Sequence, residues 1–139
     1  MIDAFVVDAS TAIGWVHPAQ ATGEAVAWLD YVAEGATLVV PALWPLEVSN
    51  ALVVLQRRRK LTPRERDEAL DALGVLPVTI DHEAAARAFT DLAALAARES
   101  LTVYDTTYLE LAIRRKLPLA CNDGPLRAAA HRLGVRVAP

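Results

Sequence analysis

Residues 5–11 read Phe5-Val6-Val7-Asp8-Ala9-Ser10-Thr11, a short apolar run that ends in an aspartate. The apolar run is typical of a buried strand, and burying a carboxylate costs free energy unless something uses its charge. Two small hydroxyl residues follow directly, as they do where a helix begins. Asp8 therefore either caps the next helix or faces a functional cleft, and the rest of the chain must decide between these interpretations.

Short apolar runs alternate with amphipathic helical patterns along the whole chain. The predicted strands are residues 4–7, 37–40, 78–80, 119–121 and 135–138. They are apolar on both faces, as expected for a parallel sheet covered by helices. The predicted buried faces of three helices are Ala25, Trp28, Leu29 and Val32; Ala69, Leu70 and Leu73; and Phe89, Leu92, Ala93 and Ala96. The order β-α-α-β-α-α-β-α-α-β-α-β indicates an α/β fold, a three-layer α/β/α domain with a mainly parallel sheet of about five strands.

Composition limits the class of protein. The 139 residues are most simply one domain, residues 1–139, with 54% hydrophobic and 22% charged residues and a net charge of −3. A single cysteine excludes an internal disulfide, and the chain contains neither a signal-peptide pattern at its start nor an apolar stretch of membrane-spanning length. We therefore expect a cytoplasmic protein without a membrane partner. The negative charge argues against a protein that coats nucleic acid, but not against a nuclease whose acidic pocket binds metal.

Four carboxylates stand at the predicted junctions between strands and helices. Asp8 ends the first strand, Glu47 lies in the first turn of the helix after the second strand, Asp105 opens a helix, and Asp123 follows the fourth strand. Ligands of parallel sheets bind beyond the carboxyl ends of the strands, where these side chains are expected to meet. Each could also be a helix cap, but caps do not explain acids at every such junction without a neighbouring cation. A further acidic junction, Asp81-His82-Glu83, is interpreted as a cap at the periphery of the sheet.

Several carboxylates in one pocket raise one another's pKa values unless a cation holds them ionised. Mg²⁺ or Mn²⁺ suits an all-oxygen site, as one ion or two, and activates water against phosphate esters. Zinc is not expected, because the three histidines lack the spacing of a zinc helix and the cysteine has no partner thiol. The residues therefore predict a magnesium or manganese site for phosphate chemistry.

Four motifs together resemble the PIN-domain nucleases, and among these the VapC-type toxins of bacterial toxin–antitoxin pairs. They are VVDAS at the N-terminus, PLEVSNAL around Glu47, LTVYDTTYLELA around Asp105 and LACNDGPL around Asp123. The resemblance covers nearly the whole chain in order and spacing. It implies a PIN-like fold, a Mg²⁺/Mn²⁺-dependent endoribonuclease acting on RNA, inhibition by a cognate antitoxin, and a homodimer. By position, it makes Asp8, Glu47, Asp105 and Asp123 the catalytic and metal-binding residues.

Several supporting roles follow from this assignment. Ser10 and Asn50 are expected to hydrogen-bond to the carboxylates and fix their orientation, although for Asn50 an ordinary helix-surface contact is an equal alternative. The basic segment Arg57, Arg58, Arg59 and Lys60 is interpreted as a solvated helix end, with contact to RNA or to an acidic antitoxin segment as the alternative. Cys121 stands where the family usually has Thr or Ser, and it is interpreted as a small buried strand residue.

Other classes of protein fit less well. A phosphoreceiver domain needs a lysine at the end of its last strand, where this chain has Pro139, and no dinucleotide-binding glycine motif follows the first strand. Two alternatives stay open: a catalytically silent PIN-like interaction module that holds a partner without turnover, and a related PIN nuclease that acts on DNA. The residues alone do not distinguish RNA from DNA, because the hydrolysis is chemically the same.

Overall fold

A computed structural model describes residues 1–139 as four strands and a series of helices. The strands are β1 (Ala4–Val7), β2 (Thr37–Pro41), β3 (Val78–Asp81) and β4 (Leu119–Ala120). The helices are α1 (Ala9–Val16), α2 (Gly23–Ala33), α3 (Leu43–Arg57), α4 (Pro63–Gly74), α5 (Ala84–Arg87), α6 (Ala93–Glu99), α7 (Val103–Arg115) and α8 (Gly124–Arg132). A 3₁₀ turn (Pro18–Gln20) precedes α2, and a π-helical turn (Ala88–Leu92) joins α5 to α6. The predicted order of elements is confirmed as far as α8, except that the π-helical turn divides the helix predicted around Phe89 into α5 and α6.

The sheet is parallel and has the strand order β3-β2-β1-β4. In its registers Val6 pairs with both Val39 and Leu119, so β1 lies at the centre of the sheet. Phe5, Val6 and Val7 are all fully buried, as expected for a strand covered on both faces. The opening stretch of sequence therefore forms one of the two inner strands, and Asp8 stands at its carboxyl end.

The predicted fifth strand, residues 135–138, does not form, so the expectation of about five strands is corrected to four. This segment makes one backbone hydrogen bond to β4, from the Leu119 amide to the Arg136 carbonyl at 2.9 Å. β4 is only two residues long, and such a short strand offers too few backbone groups on its outer edge for a ladder. Val135 is still buried in the core, so the apolar pattern predicted burial correctly and pairing incorrectly.

Helices pack on the sheet in two groups. Helices α1 to α4 contact one another, while α7 contacts β1, β2, α6 and α8, and the sheet lies between the two groups in a three-layer α/β/α arrangement. The predicted face of α2 is confirmed at its centre, where Trp28 is buried with its ring centroid 4.7 Å from that of Phe5. The predicted face of α4 is confirmed by buried Ala69 and Leu73.

The predicted face containing Phe89 is wrong in part. Leu92 and Ala96 are buried, but Ala93 is exposed and Phe89 is completely exposed. Phe89 lies in the π-helical turn, which is wider than an α-helical turn and rotates the residues before it relative to those after it. A period of 3.6 residues therefore does not apply across this turn. None of the helices combines the length and apolar character that crossing a membrane requires.

Candidate active site

Four acidic side chains from distant parts of the chain line one open cleft: Asp8, Glu47, Asp105 and Asp123. The cleft has a volume of about 350 Å³. It lies at the carboxyl end of the sheet, because Asp8 directly follows β1 and Asp123 caps the helix after β4. The other lining residues are Ala9, Ser10, Ile13, Gln20, Ala51 and Tyr108, so no lysine or arginine lines the cleft. The structure thus brings together the four carboxylates that the sequence singled out.

Asp8 serves both of the roles that the sequence allowed. Its Oδ1 accepts a hydrogen bond from the Thr11 amide at 2.9 Å, which caps α1, and the Ser10 hydroxyl donates to Oδ1 at 3.0 Å and to Oδ2 at 2.9 Å. The side chain nevertheless lines the cleft. Burial raises the pKa of Asp8 above its ordinary value, and the negative charge of Asp105 raises it further. The hydrogen bonds from Thr11 and Ser10 lower this pKa, but burial outweighs them. The hydrogen bonds at the helix cap thus orient the carboxylate, while its burial and the nearby Asp105 disfavour its negative charge.

Asp105 lies in the first turn of α7, where its spacing from Thr102 matches a capping box. Only half of the box forms: the Thr102 hydroxyl accepts from the Asp105 amide at 3.0 Å, and the Thr102 amide does not donate to the Asp105 carboxylate in return. Thr62 and Glu65 make both bonds, and hydrogen bonding there lowers the pKa of Glu65. The pKa of Asp105 is instead raised, by burial and then by the charge of Asp123. The Asp105 carboxylate is therefore not used as a cap.

Asp123 caps α8 through Oδ2, which accepts from the Leu126 amide at 2.9 Å. Its other oxygen, Oδ1, accepts no hydrogen bond from the protein and is free for a ligand in the cleft. The cation on the same helix, Arg127, is paired with Glu24 in a two-pronged salt bridge at 2.8 and 3.0 Å. Arg127 therefore does not neutralise the negative charges of Asp105 and Asp123.

Glu47 is held by a residue that the sequence reasoning missed. The Tyr108 hydroxyl, from α7, donates to Glu47 Oε1 on α3 at 2.5 Å. Burial raises the pKa of the Tyr108 phenol, and the neighbouring Glu47 raises it further, so the hydroxyl keeps its proton and acts as the donor. The signal for Tyr108 was present in its position three residues after Asp105, which places both on one face of α7. Gln20, from the 3₁₀ turn, also lines the cleft and carried no such signal.

The predicted supporting residues divide into two groups. Ser10 lies in the cleft and hydrogen-bonds to Asp8, as expected. Asn50 is exposed, does not line the cleft and makes no hydrogen bond to any of the four carboxylates, so it is an ordinary helix-surface residue here. On the same helix Ala51, four residues beyond Glu47, lines the cleft instead.

The basic segment 57–60 lies away from the cleft. Arg57, Arg58, Arg59 and Lys60 are all exposed, at and beyond the C-terminal end of α3. Glu47 is near the other end of the same helix, about 15 Å away at 1.5 Å per residue. Cations at this end complement the negative end of the helix dipole. Their place fits a solvated helix end, and contact with RNA or with an antitoxin stays a prediction.

Asp81, in the further acidic junction, is neutralised inside the protein. Its buried carboxylate accepts from Arg114 at 2.8 and 3.0 Å and from Arg115 at 2.8 Å. It also accepts from the Glu83 amide at 3.1 Å, but α5 begins after Glu83 without a side-chain cap, so the predicted helix cap does not form. The hydrogen bonds from Arg114 hold the pKa of Asp81 well below its usual range. Asp81 therefore differs from the four cleft carboxylates, none of which has a cationic partner.

The chemistry of the cleft fits a hard divalent cation. Oxygen ligands, mutual repulsion between Asp105 and Asp123, and the lack of a lysine or arginine are the conditions under which Mg²⁺ or Mn²⁺ binds. As the side chains are placed, however, no group of three or more His, Cys, Asp or Glu residues is arranged to hold a metal ion. The cleft therefore fits a metal ion in the type and charge of its ligands. Mg²⁺ usually keeps several of its waters, and carboxylates can bind the ion through these waters. Cys121 is buried directly after β4 and does not line the cleft.

Three solved structures with a similar fold support this architecture. FitAcB from Neisseria gonorrhoeae has a TM-score of 0.65 at 18% identity, covering 97% of this chain and 96% of that chain. VapBC2 from Rickettsia felis, bound to a DNA fragment from their promoter, has a TM-score of 0.63 at 12% identity, with 96% of each chain covered. PAE2754 from Pyrobaculum aerophilum has a TM-score of 0.62 at 20% identity, covering 92% of this chain and 84% of that chain.

Sequence comparison identifies the family directly. None of the curated proteins matches the chain. The family model of the PIN domain matches residues 5–132, a span that begins inside β1 and ends with α8 and so includes all four cleft carboxylates. The predicted PIN-like fold is thereby confirmed, and the chain belongs to the PIN domain family.

Proposed function

We propose that this chain, as a single PIN domain, is a Mg²⁺- or Mn²⁺-dependent endoribonuclease and the toxin of a toxin–antitoxin pair. The observation that carries the proposal is the cleft with four carboxylates and no cation, which the protein maintains at a cost in repulsion and burial. Perturbed carboxylates that gather in a cleft are typical of functional sites. The fold similarity to VapBC2 and FitAcB agrees with the resemblance of the sequence to VapC-type toxins.

In the proposed reaction Asp8, Asp105 and Asp123 hold one or two metal ions, directly or through water. When bound, Mg²⁺ or Mn²⁺ polarises the phosphoryl oxygens, lowers the pKa of water and neutralises the leaving oxygen. Glu47 orients the attacking water or contributes to a second ion. Ser10, by donating to Asp8, favours the ionised form of that carboxylate and orients it. Attack by water in line with the scissile bond leaves a 5′-phosphate and a 3′-hydroxyl, so the 2′-hydroxyl of RNA takes no part.

The proposed partners follow from the proposed assignment as a toxin nuclease. RNA is the substrate, a cognate antitoxin blocks the cleft, and two copies of the chain form a homodimer. An acidic cleft attracts cationic side chains, so an antitoxin segment that carries arginine or lysine is a suitable inhibitor. The basic segment Arg57–Lys60, which is exposed and about 15 Å from Glu47, remains a candidate contact for RNA phosphates or for an acidic part of the antitoxin.

The test is cleavage of a labelled RNA by the purified protein with Mg²⁺, with Mn²⁺ and with EDTA. We expect cleavage only with metal, and we expect Asp8→Asn and Asp105→Asn to abolish it while the protein stays folded by circular dichroism. Asp71→Asn is the matched control, because Asp71 is an exposed acid on α4, away from the cleft. Wild-type rates in Asp8→Asn or Asp105→Asn would show that the site is assigned wrongly.

A silent PIN-like interaction module is the second candidate, and one observation favours it: no three side chains are arranged to hold a metal ion. Titration with Mn²⁺ in a calorimeter separates the two proposals. A nuclease binds Mn²⁺ and loses binding with Asp105→Asn, whereas a silent module releases no heat with metal and binds its partner equally well in EDTA. A parallel assay with single-stranded DNA of the same sequence tests the remaining alternative, a nuclease that acts on DNA.

A further inference from the structure

Glu47 is the one cleft carboxylate that is held by a residue from another part of the chain. Tyr108, 61 residues away in sequence, donates to Glu47 Oε1 at 2.5 Å. Asp8 and Asp123, in contrast, accept hydrogen bonds from the amides of their own helices, at Thr11 and Leu126. Different sources of donors therefore orient the carboxylates of one cleft.

The position of Glu47 in α3 explains why it needs a distant donor. The free backbone amides of a helix belong to its first turn, and α3 begins at Leu43. Glu47 is the fifth residue, beyond those amides, and Pro45 in the first turn has no amide hydrogen at all. A glutamate also has one more rotatable bond than an aspartate, so more conformational freedom must be removed to place its carboxylate. Without a side-chain donor, Glu47 would sample several orientations.

Tyr108 is suited to supply that donor. It is only 2% exposed and belongs to the hydrophobic core, so its ring is fixed by packing. It lies on α7 three residues after Asp105, on the same helix face, and it lines the cleft. The hydrogen bond therefore ties Glu47 on α3 to the helix that carries Asp105. The remaining oxygen of the glutamate, Oε2, accepts no protein hydrogen bond and is left for a ligand.

We infer that Tyr108 is a positioning residue of this site: its hydroxyl holds Oε1 of Glu47 and leaves Oε2 available to a metal ion or water that would bind in the cleft. The inference rests on the proposed function, because it assigns a role within that reaction. Groups that hydrogen-bond to metal ligands typically contribute 10- to 100-fold to metal affinity or activity. Tyr108 does not touch substrate in this role and acts through Glu47.

The test is Tyr108→Phe, which removes the hydroxyl and retains the ring and its packing. We expect Mn²⁺ affinity, measured by calorimetry on metal-free protein, to fall about 10- to 100-fold, and kcat on RNA to fall similarly with an unchanged KM. Tyr31→Phe is the matched control, because Tyr31 packs partly buried on α2, outside the cleft, and its hydroxyl makes no hydrogen bond. It should change neither quantity.

A double-mutant cycle with Glu47→Gln shows whether Tyr108 acts through Glu47. We expect Tyr108→Phe to have little effect on Mn²⁺ affinity in the Glu47→Gln background, and an equal loss in both backgrounds would overturn the role. If the wild type binds Mn²⁺ and cleaves RNA while Tyr108→Phe does both equally well, only the positioning role is refuted. If the wild type neither binds Mn²⁺ nor cleaves RNA, the proposed function fails, and this role fails with it.

Discussion

Asp81→Asn should destabilise the protein strongly while leaving the cleft intact. The Asp81 side chain is only 3% exposed and accepts four hydrogen bonds, three from Arg114 and Arg115 at 2.8–3.0 Å and one from the Glu83 amide at 3.1 Å. These contacts tie the C-terminal end of α7 to β3, whereas the N-terminal end of α7 carries Asp105. Asparagine keeps the size of the side chain but removes its charge and presents an amide to the two guanidinium groups.

The magnitude follows from burial and charge. Removing one partner of a fully buried ion pair costs about 3–5 kcal/mol, because the other charge is left unpaired. Here the Arg114 and Arg115 side chains are 23% and 41% exposed, so water compensates part of the loss, and we expect about 2–3 kcal/mol. With an unfolding entropy of about 2.1 cal/mol/K per residue, the midpoint of thermal unfolding should fall by about 7–10 °C.

The assay is thermal unfolding followed by circular dichroism, with Asp67→Asn as the matched control. Asp67 also pairs with an arginine at 2.8 Å, but its side chain is 64% exposed, so its replacement should change the free energy of unfolding by less than about 0.5 kcal/mol. RNA cleavage by Asp81→Asn, measured well below its midpoint, should match the wild type. Equal shifts of the midpoint for Asp81→Asn and Asp67→Asn would refute the reasoning.

The difference in unfolding midpoint between the wild type and Asp81→Asn should depend on pH. The arginines lower the pKa of Asp81 in the folded state, so its contribution to stability is present above the unfolded-state pKa, about 3.9, and is lost as the pH falls toward the folded-state value. The difference in midpoint between wild type and Asp81→Asn should therefore hold between pH 5 and pH 7. It should narrow below about pH 4.

Three further predictions concern single residues. Because burial and Asp123 raise the pKa of Asp105 in the folded state, its ionisation costs stability at neutral pH, and Asp105→Asn should raise the unfolding midpoint of the metal-free protein in EDTA at pH 7; a lower midpoint would contradict this sign. Cys121 is 1% exposed and burial raises the pKa of its thiol, so a thiol-reactive dye should label it only on unfolding, and rapid labelling of folded protein would contradict its burial. Phe89→Ser should change the free energy of unfolding, measured in urea, by less than about 0.5 kcal/mol, because Phe89 is fully exposed, and a large loss would place its ring in the core.

Most of the framework could be predicted because it depends on residues that are neighbours in sequence. Strands β1 to β4, the caps and the helix faces of α2 and α4 follow from periodicity and local hydrogen bonding. The gathering of the four carboxylates was also predictable, since parallel strands direct their carboxyl ends to one edge. Prediction failed at Phe89 and at residues 135–138, where a π-helical turn and a two-residue neighbouring strand override the local pattern.

The sequence alone determined which acids face the cleft, because strand direction and the strand-to-helix junctions are encoded within short segments. Only the tertiary structure decided which acids keep their charge unpaired. Asp81 and Asp105 both stand at acidic junctions, yet Arg114 and Arg115, more than 30 residues beyond Asp81, neutralise only the former. The bond from Tyr108 on α7 to Glu47 on α3 likewise joins residues 61 positions apart in the sequence. Such contacts depend on how helices are placed across the sheet, which no local pattern of residues specifies.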